Sequence, residues 1–172
     1  YDYLMYADID FKHPEVVENL NQWAEWFIET TGVEGFRLDA VKHIDSFFMK
    51  NFIQQITDKY GDDFYVFGEF WNGDEQSNND YLASIDYQFD LVDVALHQNL
   101  FRASQDGENF DLTTIFNGTL ASNHPESAVT FVDNHDTQRG QALESTVGEW
   151  FKPAAYALIL LREAGLPCVF YG

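Results

Sequence analysis

Five short apolar segments alternate with segments of helical periodicity, which predicts an α/β fold with a parallel sheet. Three of the apolar segments run directly into an acid: Gly35–His43 contains Asp39, Phe67–Trp71 contains Glu69, and Phe131–Asp136 ends in Asp136. Acids delivered from the ends of several parallel strands are the pattern of a barrel mouth. An eight-stranded barrel needs about 250 residues, and this chain has 172. The expected class is therefore a partial (β/α)8 TIM barrel, read as one continuous piece of a larger domain.

Taken in order, residues 14–29 predict a helix. Pro14 suits a first turn, Val16, Leu20, Trp23 and Phe27 recur at helical spacing, and Gly32 marks the stop. Gly35 to Val41 is a strand candidate. Asp45 or Ser46 can cap a second helix, with Phe48, Phe52 and Ile56 aligned and Gly61 at its end. Phe64 to Phe67 is a strong strand signal. The polar residues 72–80 read as a loop, and Phe89 to Val92 as a weak strand. Helical segments are expected near 94–104 and 112–121, the second capped by Asp111. Ala128 to Val132 is a strand. Pro153 to Glu163 is a helix stopped by Gly165 and Pro167, and Cys168 to Tyr171 is a last strand.

Composition narrows the function. The chain is 45% hydrophobic and 17% aromatic, enough for a core and unlike a disordered segment. Its 29 acids against 9 Lys and Arg give a net charge of -20. That charge disfavours nucleic acid and anionic membranes as partners. No apolar run approaches the roughly 20 residues of a membrane span. No signal peptide is visible at Tyr1, and the chain does not begin with Met, so compartment is left open. Cys168 is the only cysteine, so no intrachain disulfide is expected; it reads as a buried strand residue.

The acids suggest chemistry. Alternation along a strand puts Arg37 beside Asp39, where a cation favours the carboxylate form that a nucleophile needs. Glu69 stands among Phe67, Phe70 and Trp71, and partial burial suits a general acid. Trp71 is read either as core or as a face for a sugar ring. His135 and Asp136 could bond sugar hydroxyls and stabilise positive charge; alternatively, Asp133–Asp136 is a polar turn whose acids cap the next element. Lys42 and His43 could bind sugar hydroxyls or belong to a solvated face. Asp39 and Glu69 are 30 residues apart, about one βα unit, and Glu69 and Asp136 are 67 apart, about two. A nucleophile, a proton donor and a further acid are what glycosidic bond cleavage uses. A zinc hydrolase fits less well, because His135–Asp136 lacks paired-histidine helix spacing.

Over its whole length, from Tyr1–Asp10 to Trp150–Pro153 and Val169–Gly172, the chain resembles the α-amylase family of retaining glycoside hydrolases, most of all its bacterial liquefying and maltohexaose-forming members. The three acid strings match the family's second, third and fourth signature regions. The resemblance implies barrel strands of about four to eight, with Phe89–Val92 as the sixth. It implies that residues 1–172 are the C-terminal part of the catalytic barrel, without the first three strands, the first signature region or the C-terminal β-domain. It implies Asp39 as nucleophile, Glu69 as acid/base and Asp136 as the acid that holds the distorted sugar. Arg37 and His135 would line the cleavage subsite, and Lys42 and His43 the leaving-group side. The implied cofactor is a structural calcium ion bound by Asp2, Asp8 and the backbone carbonyl of His43. Asp10 is a possible ligand of an additional metal cluster, which Lys12 disfavours. The implied substrate is an α-glucan polysaccharide or maltooligosaccharide, cut at internal α-1,4 bonds. A transglycosylase of the same family and a truncated, non-catalytic carbohydrate-binding barrel are the alternatives.

Overall fold

The computed structural model describes residues 7–171. The chain divides into two compact units. The first holds the chain up to Trp71 together with Asn79–Asp90, and the second holds Asn72–Asn78 with the remainder from Leu91. Strands alternate with helices in both, and pairing inside each unit is parallel. The fold is that of part of a (β/α)8 barrel.

In the first unit, helix α1 (Pro14–Thr31) begins on Pro14 and ends on Gly32, whose φ of 68° supplies the left-handed cap. It buries Ala24 and Ile28 and leaves Trp23 and Trp26 exposed. Strand β1 (Gly35–Leu38) pairs with β2 (Tyr65–Gly68) in the register Gly35↔Tyr65 to Leu38↔Gly68. Gly35 is required by this pairing, since a Cβ there would lie 2.2 Å from the Tyr65 carbonyl oxygen. Helix α2 (Ser46–Tyr60) buries Phe48, Met49, Phe52, Ile53 and Ile56, the apolar stripe that its periodicity predicts. Asp45, not Ser46, is its cap, accepting from Phe48 N–H at 2.9 Å. Lys59 ties α2 to α1 through Glu25 and Glu29.

In the second unit, β4 (Ala128–Phe131) pairs with β3 (Asp90–Val92) through Leu91↔Ala128 and with β5 (Leu166–Cys168) through Val129↔Leu166. All four β4 residues are buried. Helix α4 (Val94–Asp106) covers them with a face that includes Leu96, His97, Leu100 and Ala103. Asp93 is fully buried and clamps two helices: one oxygen accepts from Leu96 N–H and the other from Ala121 N–H in α5 (Leu120–Asn123). Helix α6 (Lys152–Leu160) buries Ala155 and Ile159.

Four expectations are corrected. Residues 72–80 are not a simple loop, because α3 spans Glu75–Ser84; Asp74 starts it by accepting from the N–H and Oγ of Ser77. The 112–121 helix is instead a 3-10 turn at Leu112–Thr114 capped by Asp111, followed by the short α5. The last strand is Leu166–Cys168, so Pro167 lies inside it and does not stop the preceding helix. Cys168 is exposed, not buried: β4 is paired on both edges, whereas β5 is paired with β4 on one.

Candidate active site

The first unit places Asp39 and Glu69 each one residue beyond the C-terminal end of its strand. Because Leu38 pairs with Gly68, the two acids fall on the next position of one register. Glu69 N–H donates to the Leu38 carbonyl at 2.8 Å, so the ladder still runs at the acids. Gly68 keeps this level tight, since a Cβ there would meet the Phe89 ring at 2.8 Å and Val41 at 3.1 Å.

Arg37 joins the acids. Its Nη1 donates to Asp39 Oδ1 at 2.6 Å, and its Nη2 lies 3.4 Å from Glu69 Oε2. The Asp39 side chain is 74% exposed and that of Glu69 9%. The two carboxylates share a cation yet differ in access to solvent. The setting of Glu69 is mixed rather than apolar: Phe70 is buried beside it in sequence, but Arg37 and the Ala40 N–H, at 3.2 Å, both address Oε2. Phe70 stacks on Tyr81 with ring centroids 4.4 Å apart. Burial pushes the Tyr81 hydroxyl's pKa up, so it stays protonated across the neutral range.

Lys42 follows β1 in a 3-10 turn, Val41–His43, and its Nζ reaches the Trp71 carbonyl oxygen at 3.5 Å. Trp71 is half-buried, between the two roles that its sequence context allowed. Asp8, Asp10, Lys12, Lys42, His43 and Asp45 line one pocket of about 470 Å³. Asp8 caps Ile9 N–H and Asp10 caps Lys12 N–H, so both carboxylates are engaged by local backbone. Among the described residues no group of three or more His, Cys, Asp or Glu is placed to hold a metal ion. Asp2 lies outside the described residues.

The second unit carries His135 and Asp136 in the turn after β4, with His135 Nε2 3.4 Å from Asp136 Oδ2. The alternative reading of this stretch, a polar turn capped by its acids, is corrected in its cap, which is Asn134. Asn134 Oδ1 accepts from the N–H of Asp136 at 2.9 Å and of Thr137 at 3.0 Å, while Thr137 Oγ1 accepts from Asn134 N–H at 2.9 Å. The Asn and Thr residue types were the available signal for this reciprocal turn. Asp133 is buried, accepts from Val147 N–H at 3.0 Å, and has Lys152 Nζ 3.3 Å from its other oxygen. Glu149 first, and Asp133 after it, hold the Lys152 pKa up.

His97 was not singled out from sequence. It is fully buried, stacked parallel to Phe131 at 5.0 Å. Its Nδ1 donates to the Val132 carbonyl at 2.7 Å, and its Nε2 is 2.7 Å from Ser145 Oγ. Ser145 N–H in turn donates to Thr137 O at 2.9 Å, so His97 braces both ends of the segment that carries Asp136. Burial lowers the His97 pKa, which keeps the ring neutral near pH 7.

The chain as a whole resembles known proteins. The alpha amylase catalytic-domain family matches residues 1–172. The chain is 52% identical over all 172 residues to the glucan 1,4-alpha-maltohexaosidase of Bacillus sp. strain 707, covering 33% of that protein. It is 48% identical over its whole length to an alpha-amylase of Geobacillus stearothermophilus, covering 31% of it. Among solved structures, the Geobacillus thermoleovorans alpha-amylase complexed with acarbose matches with a TM-score of 0.75 at 25% identity, over 96% of this chain and 38% of that one. The chain thus spans about a third of the length of the curated relatives it matches.

Proposed function

On the premise that this chain belongs to the α-amylase catalytic-domain family, we propose that it forms the C-terminal part of the barrel of an enzyme that hydrolyses internal α-1,4-glucosidic bonds with retention of configuration. The observation that carries this reading is the Arg37 guanidinium held between Asp39 and Glu69 on one level past the strand ends. A retaining mechanism uses two carboxyls about 5–5.5 Å apart, closer than an inverting pair. One guanidinium touching both bounds their separation, and retention itself is taken from the family resemblance.

In this reading Asp39 attacks the anomeric carbon, its exposure leaving it accessible to substrate, while Glu69 protonates the leaving oxygen. A covalent glycosyl-enzyme forms. Glu69 then takes a proton from the incoming water, whose oxygen displaces Asp39. Arg37 holds the Asp39 carboxylate in place through its 2.6 Å contact. Asp136 and His135 bond the distorted sugar, Lys42 and His43 belong to the leaving-group side, and Trp71 offers a face to a sugar ring. The substrate is an α-glucan or maltooligosaccharide. A structural calcium ion enters the proposal through Asp2, Asp8 and the His43 carbonyl, hard oxygen donors that suit it; it stabilises and takes no chemical step.

The test is the anomer of the first product. Proton NMR of a maltooligosaccharide digest by the full-length protein should show new reducing ends in the α form before mutarotation. Initial β product, or no cleavage of internal bonds, would overturn the reading.

A further inference from the structure

We propose that Ala40 is a positioning residue for Glu69 and acts through its backbone N–H. The inference rests on the reading of Glu69 as the acid/base. In an evenly spaced parallel ladder, the Glu69 carbonyl would accept from residue 40, the residue after Asp39. It accepts instead from Val41 N–H, at 3.1 Å, while Glu69 N–H still donates to Leu38 O. Ala40 is therefore an extra residue in the β1 side of the ladder, a bulge-like insertion of the kind that re-aims a group at a strand end.

The insertion has a conformational cost. Ala40 sits at φ 49°, ψ 37°, in the left-handed region that a non-glycine residue rarely adopts. What the backbone gains is a redirected donor: the Ala40 N–H leaves the ladder and points at Glu69 Oε2, 3.2 Å away. Val41, fully buried, anchors the far side of the turn. Arg37 Nη2 lies 3.4 Å from the same oxygen, and Arg37 is itself paired with Asp39. Two donors therefore address Oε2. The turn fixes where the carboxyl stands. Strain of this kind is found at sites that require an exact placement. The simpler alternative is that Ala40 only turns the chain into the Val41–His43 3-10 turn.

The two are separated by removing the N–H while keeping the side chain. In the full-length protein, Ala40 is replaced by lactic acid through nonsense suppression, which turns the amide into an ester and keeps the methyl group. The expected result is a fall in kcat on a maltooligosaccharide of about tenfold to a hundredfold, with KM unchanged. The alkaline limb of the kcat/KM profile should also move to higher pH, because a donor that favoured the carboxylate is gone. Ala40→Gly keeps the donor and suits the left-handed turn, so its alkaline limb should move less than that of the ester variant. A folded ester variant with parental kcat and limb, beside an inactive Glu69→Gln, would overturn the proposal and leave the acid/base reading standing. An active Glu69→Gln would instead remove that reading. If the ester variant does not fold, Ala40→Val, which keeps the N–H but disfavours its orientation, decides: a limb equal to that of Ala40→Gly overturns the proposal.

Discussion

Asp39 and Glu69 occupy the same level of adjacent parallel strands, one residue past the paired ends Leu38 and Gly68. Neighbouring strands lie about 4.8 Å apart, so the level alone sets two carboxyl-bearing residues side by side. Arg37, two residues before Asp39, returns to the same level and touches both. The pair is thus held by the sheet in one direction and by a shared cation in the other.

Asp39→Asn and Glu69→Gln should each reduce starch hydrolysis by the full-length protein by several orders of magnitude. Neither amide can do the work of its acid, since one cannot attack and the other cannot donate a proton well. The shapes are conserved, so circular dichroism and the melting temperature should remain close to parental. Near-parental turnover in either folded variant would contradict the assigned role.

Much of this site is legible in the sequence because strand ends are. A short apolar run that breaks into an acid marks both the element and the point where its side chain emerges, as Gly35–Asp39 and Phe64–Glu69 show. Helical periodicity with glycine stops served equally well for α1 and α2. The misses have local causes. Helix α3 has a polar sequence and little apolar stripe, so only Asp74, three residues before Ser77, announces its start. Pro167 reads as a breaker, yet it stands in β5, where proline is tolerated at a sheet edge. Ala40 had no signal at all: nothing in alanine announces a positive φ, which comes from the ladder around it. His97 looked like one of several residues on a helix face, and only folding puts it against Val132 and Ser145.

His97 makes stability depend on pH with a defined sign. Burial lowers its pKa in the folded state from the ordinary value of 6.5. The contribution to stability is complete above 6.5, where both states are neutral, and is lost as pH falls from there through the folded-state pKa. His97→Gln should cost about 1–3 kcal/mol at pH 7.5, because it disturbs a buried hydrogen-bonded group. It should also flatten the fall in urea midpoint between pH 7.5 and 5.5. An unchanged slope would show that His97 does not contribute to acid sensitivity.

Calcium binding is expected to stabilise the full-length protein through Asp2, Asp8 and the His43 carbonyl. A ligand bound only by the native state, at a hundred times its Kd, adds about 2.7 kcal/mol. Thermal melts with and without a chelator should therefore differ by several degrees, and Asp8→Asn should narrow the difference. Coincident melts, with no calcium found by elemental analysis, would exclude the ion.

Residues 1–172 expressed alone should be inactive and weakly protected. The reason lies in what the chain leaves uncovered. Leu160, Leu161, Leu166, Val169 and Tyr171 are all exposed large hydrophobics, gathered at and after α6. Among the described residues β5 pairs only with β4, and an open apolar edge invites association with other chains. The relatives are about three times as long, and further barrel strands would cover that edge in a closed sheet. Both Asp39 and Glu69 are present, so a deficit of activity would not come from missing carboxylates. It would come from their mobility, since catalytic geometry has to be held within about 0.5 Å. Hydrogen exchange should show protection concentrated in the buried β4 and α4, and weak protection in β5 and α6. Release of reducing ends from starch should stay at background. Uniformly strong protection, or turnover that Glu69→Gln abolishes, would show instead that the 172 residues suffice for both fold and chemistry.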